Sequence, residues 1–319
     1  MTASICSCAL VSASLFAQAD PDTSKYRMYR GHIADQTFFI SIRADDAEAY
    51  LKRSYYREKI GDHQGAVDDL GKVIELHPTD HQAHNSRAFS RERMGDRQGA
   101  IVDYTIAIGL APAFKDAYYG RAMDLYQLGN YDAALADLTA FIRLDTTRAE
   151  TYLWKGYCEA KLGRHDAAIG SYGEVIRMEP RNAKAYNNRG MSLFFLKRYE
   201  EALGDMNIAI ALDEHYAQAF NKRGQVKYVM NDVSGAMLDY NKSIGLDSTN
   251  AAAYCNRGVA RMELKDHHGA IEDFSRSIEL DNSQAETYYN RGVAYEAIGD
   301  TTKAERDLKL SASLKRTGN

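Results

Sequence analysis

The sequence predicts an all-α protein built as an α-solenoid of paired helices, and three observations predict it. One pattern recurs every 34 residues from Ala47 to the C-terminus with no insertion, the mark of an array of like units rather than a globule. Within each unit, small and apolar positions repeat at spacings of four, which stacks them along one helix face. Dipeptides such as Gly61-Asp62 and Gly95-Asp96 separate the periodic runs, where Gly ends one helix in the left-handed conformation and Asp begins the next.

The run Ala251 to Gln284 shows the unit most clearly. Its anchor aromatic, Tyr254, has counterparts in Tyr50, His84, Tyr118, Tyr152, Tyr186, Phe220 and Tyr288. Four residues on lies a small slot: Ser54, Ala88, Ala122, Gly156, Gly190, Gly224, Gly258 and Gly292. A bulky side chain there is expected to push the two helices apart. The second helix carries Ala66, Ala100, Ala134, Ala168, Ala202, Ala236, Ala270 and Ala304, then Leu70, Tyr104, Leu138, Tyr172, Met206, Tyr240, Phe274 and Leu308 four residues later. The boundaries read as eight repeats over 47–318: 47–80, 81–114, 115–148, 149–182, 183–216, 217–250, 251–284 and 285–318.

Ahead of the array, residues 20–46 read as a linker and one amphipathic helix, Lys25 to Ile42, a half-repeat covering the apolar edge of Tyr50 and Ile60. Residues 1–19 are uncharged, apolar from Ile5 to Phe16, and end in Ala17-Gln18-Ala19. They resemble a secretory signal peptide cleaved before Asp20, without the usual basic residue near Met1, and are too short to span a bilayer. The expectation is an exported protein of the periplasm or cell envelope; without a leader the protein is cytoplasmic.

The period, the small–small–aromatic pattern and the repeat ends at Pro78, Pro112 and Pro180 closely resemble the tetratricopeptide repeat (TPR) family. That resemblance implies a right-handed superhelix of antiparallel helix pairs whose first helices line a concave wall. One slot departs from the family's usual Leu: it is basic in every copy, as Arg53, Arg87, Arg121, Lys155, Arg189, Arg223, Arg257 and Arg291. Sixteen residues on comes an acid, Asp69, Asp103, Asp137, Asp205, Asp239, Asp273 and Asp307, with Ser171 in the fourth repeat. These positions are expected to pair and tie together the two helices of each repeat.

A net charge of −4 argues against nucleic acid as the main partner, and the local basic run of Lys52, Arg53, Arg57, Lys59, Arg87, Arg91, Arg93 and Arg97 is interleaved with Glu58, Glu92 and Asp96 and reads as a solvated, self-paired helix face. No phosphate-binding Gly-Lys-Ser/Thr loop, HExxH, GxSxG or paired-cysteine signature is present, so neither catalysis nor a cofactor is expected. His77, His81 and His84 have a spacing a metal could use, but His84 holds a core aromatic slot, and a core histidine with two loop histidines is the reading adopted. Cys158 and Cys255 lie three repeats apart in different slots, too far to bridge.

What the repeat leaves variable is one helix face. Residues one, five and eight steps after the anchor point together, away from Tyr254, Gly258 and Leu264, at about 100° per residue. In the TPR family this direction is the concave wall, and here it is rich in aromatics, beginning with Leu51, Tyr55, Glu58, Asn85, Phe89 and Glu92. The proposed peptide groove comprises Tyr119, Tyr126, Trp154, Tyr157, Asn187, Asn188, Met191, Phe194, Asn221, Lys222, Gln225, Tyr228, Asn256 and Asn290. Amides there would bond an extended peptide's backbone and aromatics would hold its side chains. The basic clamp of chaperone-tail-binding TPR proteins, Lys one step and Asn five steps on, is absent. The resulting expectation is a non-catalytic adaptor for a protein or peptide partner, with no nucleic acid and no stable membrane insertion. The alternative is a rod that forms homo-oligomers through terminal edges near Leu308 and Leu314, and a metal-binding or enzymatic protein is the third reading.

Overall fold

The computed structural model describes residues 23–316, and all of its elements are α-helices among those residues. The proposed leader and its cleavage point lie outside them. A first unit ends at Asp145 and a second begins at Thr146, where the sequence predicts one continuous array. Residues 145–148 run between helices without the turn that the other repeat junctions make, and Arg148 gives the next helix no side-chain cap.

The first unit contains α1 (Thr23–Ile42), α2 (Ala47–Lys59), α3 (His63–Leu76), α4 (His81–Arg93), α5 (Arg97–Leu110), α6 (Lys115–Gln127) and α7 (Tyr131–Leu144). The second contains α8 (Ala149–Lys161), α9 (His165–Met178), α10 (Ala183–Phe195), α11 (Tyr199–Leu212), α12 (Ala217–Val229), α13 (Val233–Leu246), α14 (Ala251–Glu263), α15 (His267–Leu280), α16 (Ala285–Ala297) and α17 (Thr301–Arg316). Within each unit consecutive helices pack in chain order, which makes each an α-solenoid. First helices of successive repeats also touch, α4 with α6 in one unit and α10, α12, α14 and α16 in the other. They therefore form the inner layer.

Local chemistry sets the helix limits. Asp62, Asp96, Asp232 and Asp266 each accept a hydrogen bond from a backbone N–H three residues on, capping the second helices. The preceding residue takes a positive φ, as in Gly61 (81°) and Gly95 (86°). Lys197, Asn231 and Lys265 adopt it without being glycine, at 59°, 66° and 62°.

The small slots act as expected. A Cβ on Gly258 would lie 2.6 Å from Phe274 Cε1, and one on Gly156 2.5 Å from Tyr172 Cε1. Where the slot is Ser54 or Ala122, the facing residue is Leu70 or Leu138 instead of an aromatic ring. All eight second-slot alanines are buried. Leu264, the residue after the last turn of α14, is exposed.

The basic–acidic pairs form. Arg257 donates to Asp273 through Nε at 2.9 Å and through its terminal nitrogen at 2.6 Å, and matching bidentate pairs join Arg53 to Asp69, Arg87 to Asp103, Arg121 to Asp137, Arg189 to Asp205, Arg223 to Asp239 and Arg291 to Asp307. Several of these arginines also reach the preceding repeat: Arg223 donates to Asn207 at 2.9 Å, and Arg257 to Asn241 at 2.7 Å. In the fourth repeat the charges are rearranged. Lys155 binds Ser171 at 2.9 Å, and Glu159, in the slot held elsewhere by Arg57, Arg91 or Arg261, pairs with Lys155 and accepts from Ser171 at 2.6 Å.

At the N-terminal edge α1 packs on α2, where the Tyr56 ring stacks on His32 at 4.6 Å, and Tyr50 and Ile60 are half-buried. Its outer face exposes Phe38, Phe39 and Ile42. Leu308 lies over Gly292, and Leu308 and Leu314 are half-buried.

Candidate functional site

The inner layer of the first unit holds a concavity of about 610 Å³, lined mainly by α2, α4 and α6. Leu51, Tyr55, Asn85, Phe89, Tyr119 and Met123 line it at the one- and five-step positions, and Glu58 and Glu92 at the eight-step position. Tyr55 is 55% exposed and Phe89 48%, unusual for aromatic side chains in a concave wall.

Its floor arises from a displacement. In the second repeat the small slot is Ala88, and the Tyr104 ring extends instead beneath Gly120 of the next repeat, where a Cβ would meet Tyr104 Cζ at 2.3 Å. The Tyr104 hydroxyl donates to Glu92 at 3.4 Å, and burial raises its pKa. Asp124 is buried nearby, with Oδ1 3.8 Å from Arg97 Nε and Oδ2 lacking a hydrogen-bond partner. Burial first, then the charge of Glu92, pushes the Asp124 carboxyl up to about 7. Glu58 Oε1 is also buried without a hydrogen-bond partner, while Oε2 lies 3.1 Å from His63 Nδ1.

In the second unit, a concavity of about 560 Å³ is lined by Tyr157, Lys184, Asn188, Tyr216, Ala217 and Gln218. Trp154 and Tyr157 meet edge to face at 5.3 Å, and Asn188 donates to the Tyr157 hydroxyl at 3.3 Å and to Lys184 O at 2.7 Å. Burial raises the Tyr157 hydroxyl and pushes that of Tyr216 up to about 12.

The expected row of amides does not stand open. Asn187 and Asn221 are buried, Asn256 donates to Asn221 at 2.9 Å, and Asn187 to Asn188 at 3.4 Å. At Asn221 the helix face is turned to the neighbouring first helix, so its amide links repeats through Asn256, whereas Asn187 bonds within its own helix, and Asn188 and Asn256 are half-buried. Phe194 packs with Leu193, Ala202 and Val226, and Tyr228 with Ala236, Tyr240 and Ala260. Met191, Gln225 and Asn290 are half-buried. Lys222 is half-buried, and burial lowers its pKa. In the first unit, Tyr126 sets its ring edge against Tyr131 at 5.2 Å, and Tyr119 lines the concavity.

The sequence-derived groove set thus leaves out Tyr55, Phe89, Glu58, Glu92, Tyr104 and Gly120. The first four share the wall's spacing, and the lone glycine in the two-step slot, Gly120, is the signal that marks the opening.

The histidines of the second repeat are separately engaged: His84 Nε2 lies 3.2 Å from Pro78 O, and the His81 ring sits against Phe114 at 5.0 Å. Among the described residues no cluster of His, Cys, Asp or Glu is arranged to hold a metal ion, and no helix is long and apolar enough to cross a membrane.

Family models described as "Tetratricopeptide repeat" match residues 48–80, 119–175, 160–217 and 285–317, and one described as "TPR repeat" matches 260–299. No curated protein matches the chain. Among solved structures, a tetratricopeptide repeat protein from Parabacteroides merdae superposes with a TM-score of 0.62 at 19% identity, covering 83% of this chain and 98% of its own. MamA gives 0.51 at 23% identity over 54% of this chain and 94% of its own. YrrB, described as a TPR protein with an unusual peptide-binding site, gives 0.52 at 19% identity over 59% of this chain and 96% of its own. At these identities the likeness concerns the fold.

Proposed function

Because the chain belongs to the tetratricopeptide repeat family, we propose that it is a non-catalytic adaptor that grips a peptide segment of a partner protein on the inner wall of its helix layers. The observation that carries this reading is the first unit's concavity, where Tyr55 and Phe89 are half exposed although their spacing places them in an inner layer. Apolar rings held open on a rigid concave surface suit a ligand's side chains. The peptide-binding site named for YrrB lends the fold a precedent.

A photo-crosslinking amino acid at Phe89 or Tyr157, compared with one at exposed Val102 on α5, tests the assignment in the native host. Adducts at the inner positions and none at Val102 are expected; equal labelling at all three would count against it. Self-association is the second reading, favoured by the exposed Phe38, Phe39 and Ile42 of α1. Sedimentation that stays monomeric at all concentrations would remove it. On the leader-like pattern of residues 1–19 we place the protein in the cell envelope, and a mature chain still beginning at Met1 would overturn that placement.

A further inference from the structure

Resting on the inner-wall reading, we infer that the first unit's concavity is specific for a segment in which a bulky apolar side chain stands next to a lysine or arginine. The apolar half of that requirement comes from Tyr55, Phe89 and Met123, which offer two aromatic faces and a deformable thioether. The cationic half comes from the carboxylates around them. Glu58, Glu92 and Asp116, from three successive first helices, line the same concavity, against which the lining supplies one cation, Lys59. That lysine already sits over the Tyr55 ring at 5.0 Å.

These carboxylates are incompletely served by the protein. Glu58 keeps one buried oxygen with no hydrogen-bond partner, and Glu92 accepts a long bond from Tyr104 at 3.4 Å. A buried carboxylate oxygen left unmatched is unfavourable, and a ligand ammonium or guanidinium would satisfy it. The same cation would lie over an aromatic face, where attraction adds to the ion pair. An acidic or phosphorylated segment would meet like charge here, so the wall discriminates by sign as well as by shape.

The test is selection from a random peptide display library on the full chain, followed by fluorescence anisotropy of a recovered peptide. Recovered sequences are expected to carry Lys or Arg beside an aromatic or large aliphatic residue. Glu58→Gln with Glu92→Gln is expected to weaken such a peptide roughly tenfold. Replacing the peptide's cation by Met is expected to cost the same on the wild type and nothing on that variant. Recovery of neutral or acidic peptides whose binding is lost in Tyr55→Ser with Phe89→Ser would overturn the cation requirement and leave the inner-wall reading standing. Recovery of no peptide sensitive to either pair of substitutions would remove both. A chain whose self-association is abolished by the Tyr55 and Phe89 changes would reassign the concavity to a second copy and overturn the inference. Circular dichroism confirms that each variant is folded.

Discussion

Replacing Asp273 with Asn should unlock the seventh repeat. The Asp273 carboxylate is 3% exposed and accepts two hydrogen bonds from Arg257, at 2.9 and 2.6 Å, while Arg261 lies 3.2 Å away. Asn keeps the shape, but it removes the charge and turns one acceptor into a donor facing a guanidinium. The arginine side chains are 15% and 23% exposed, so water reaches them only in part. Each charge-assisted bond contributes about 1.5–3 kcal/mol, and an unpaired buried charge costs about 3–5 kcal/mol. Arg257 retains Asn241 and the Tyr254 ring at 5.5 Å, which lowers the net loss to about 2–4 kcal/mol. In urea unfolding this is a midpoint drop on the order of 1 M. Hydrogen exchange should localise the opening to α14 and α15, because repeat arrays open locally. A midpoint shift below about 0.3 M, with unchanged exchange in those helices, would refute the lock as the tie between them. Arg257→Met with Asp273→Leu should recover most of the loss, since a packed apolar pair can replace a buried ion pair.

In the fourth repeat, Ser171→Asp should destabilise by about 2–4 kcal/mol by setting a second carboxylate beside buried Glu159, and adding Glu159→Arg should restore most of it; urea midpoints of the single and double variants decide. Gly258→Ala should cost about 1–3 kcal/mol through the Phe274 clash at 2.6 Å, and Phe274→Leu should relieve it in the same background, as Leu138 does opposite Ala122; the readout is Tm. For Asp124, the folded carboxyl holds its proton to about 7 against an ordinary 3.8. The folded state therefore binds more protons in that window, and this group's contribution makes stability fall as pH rises from about 4 to about 7. Asp124→Asn should flatten that part of the profile and raise stability near about pH 8, measured by denaturation at several pH values.

The sequence by itself determined what is local and repeated: the helix pairs, their Gly–Asp turns, the small slots and the Arg–Asp lock. Each depends on a residue and partners at a constant spacing, so the pattern appears in nearly every copy. The tertiary structure decided which wall positions are open. Spacing sets the angle of Asn221 around its own helix but not that α14 stands against it with Asn256. Likewise Tyr104 reads as an ordinary core residue, and its passage beneath Gly120, which shapes the concavity, depends on Ala88 occupying one repeat's small slot and on a missing Cβ in the next. Glu159 standing in for the missing aspartate belongs to the same class, as does the division at Asp145. Exposure at these places is set by the neighbouring helix and the room its side chains leave, quantities that no spacing along one helix contains.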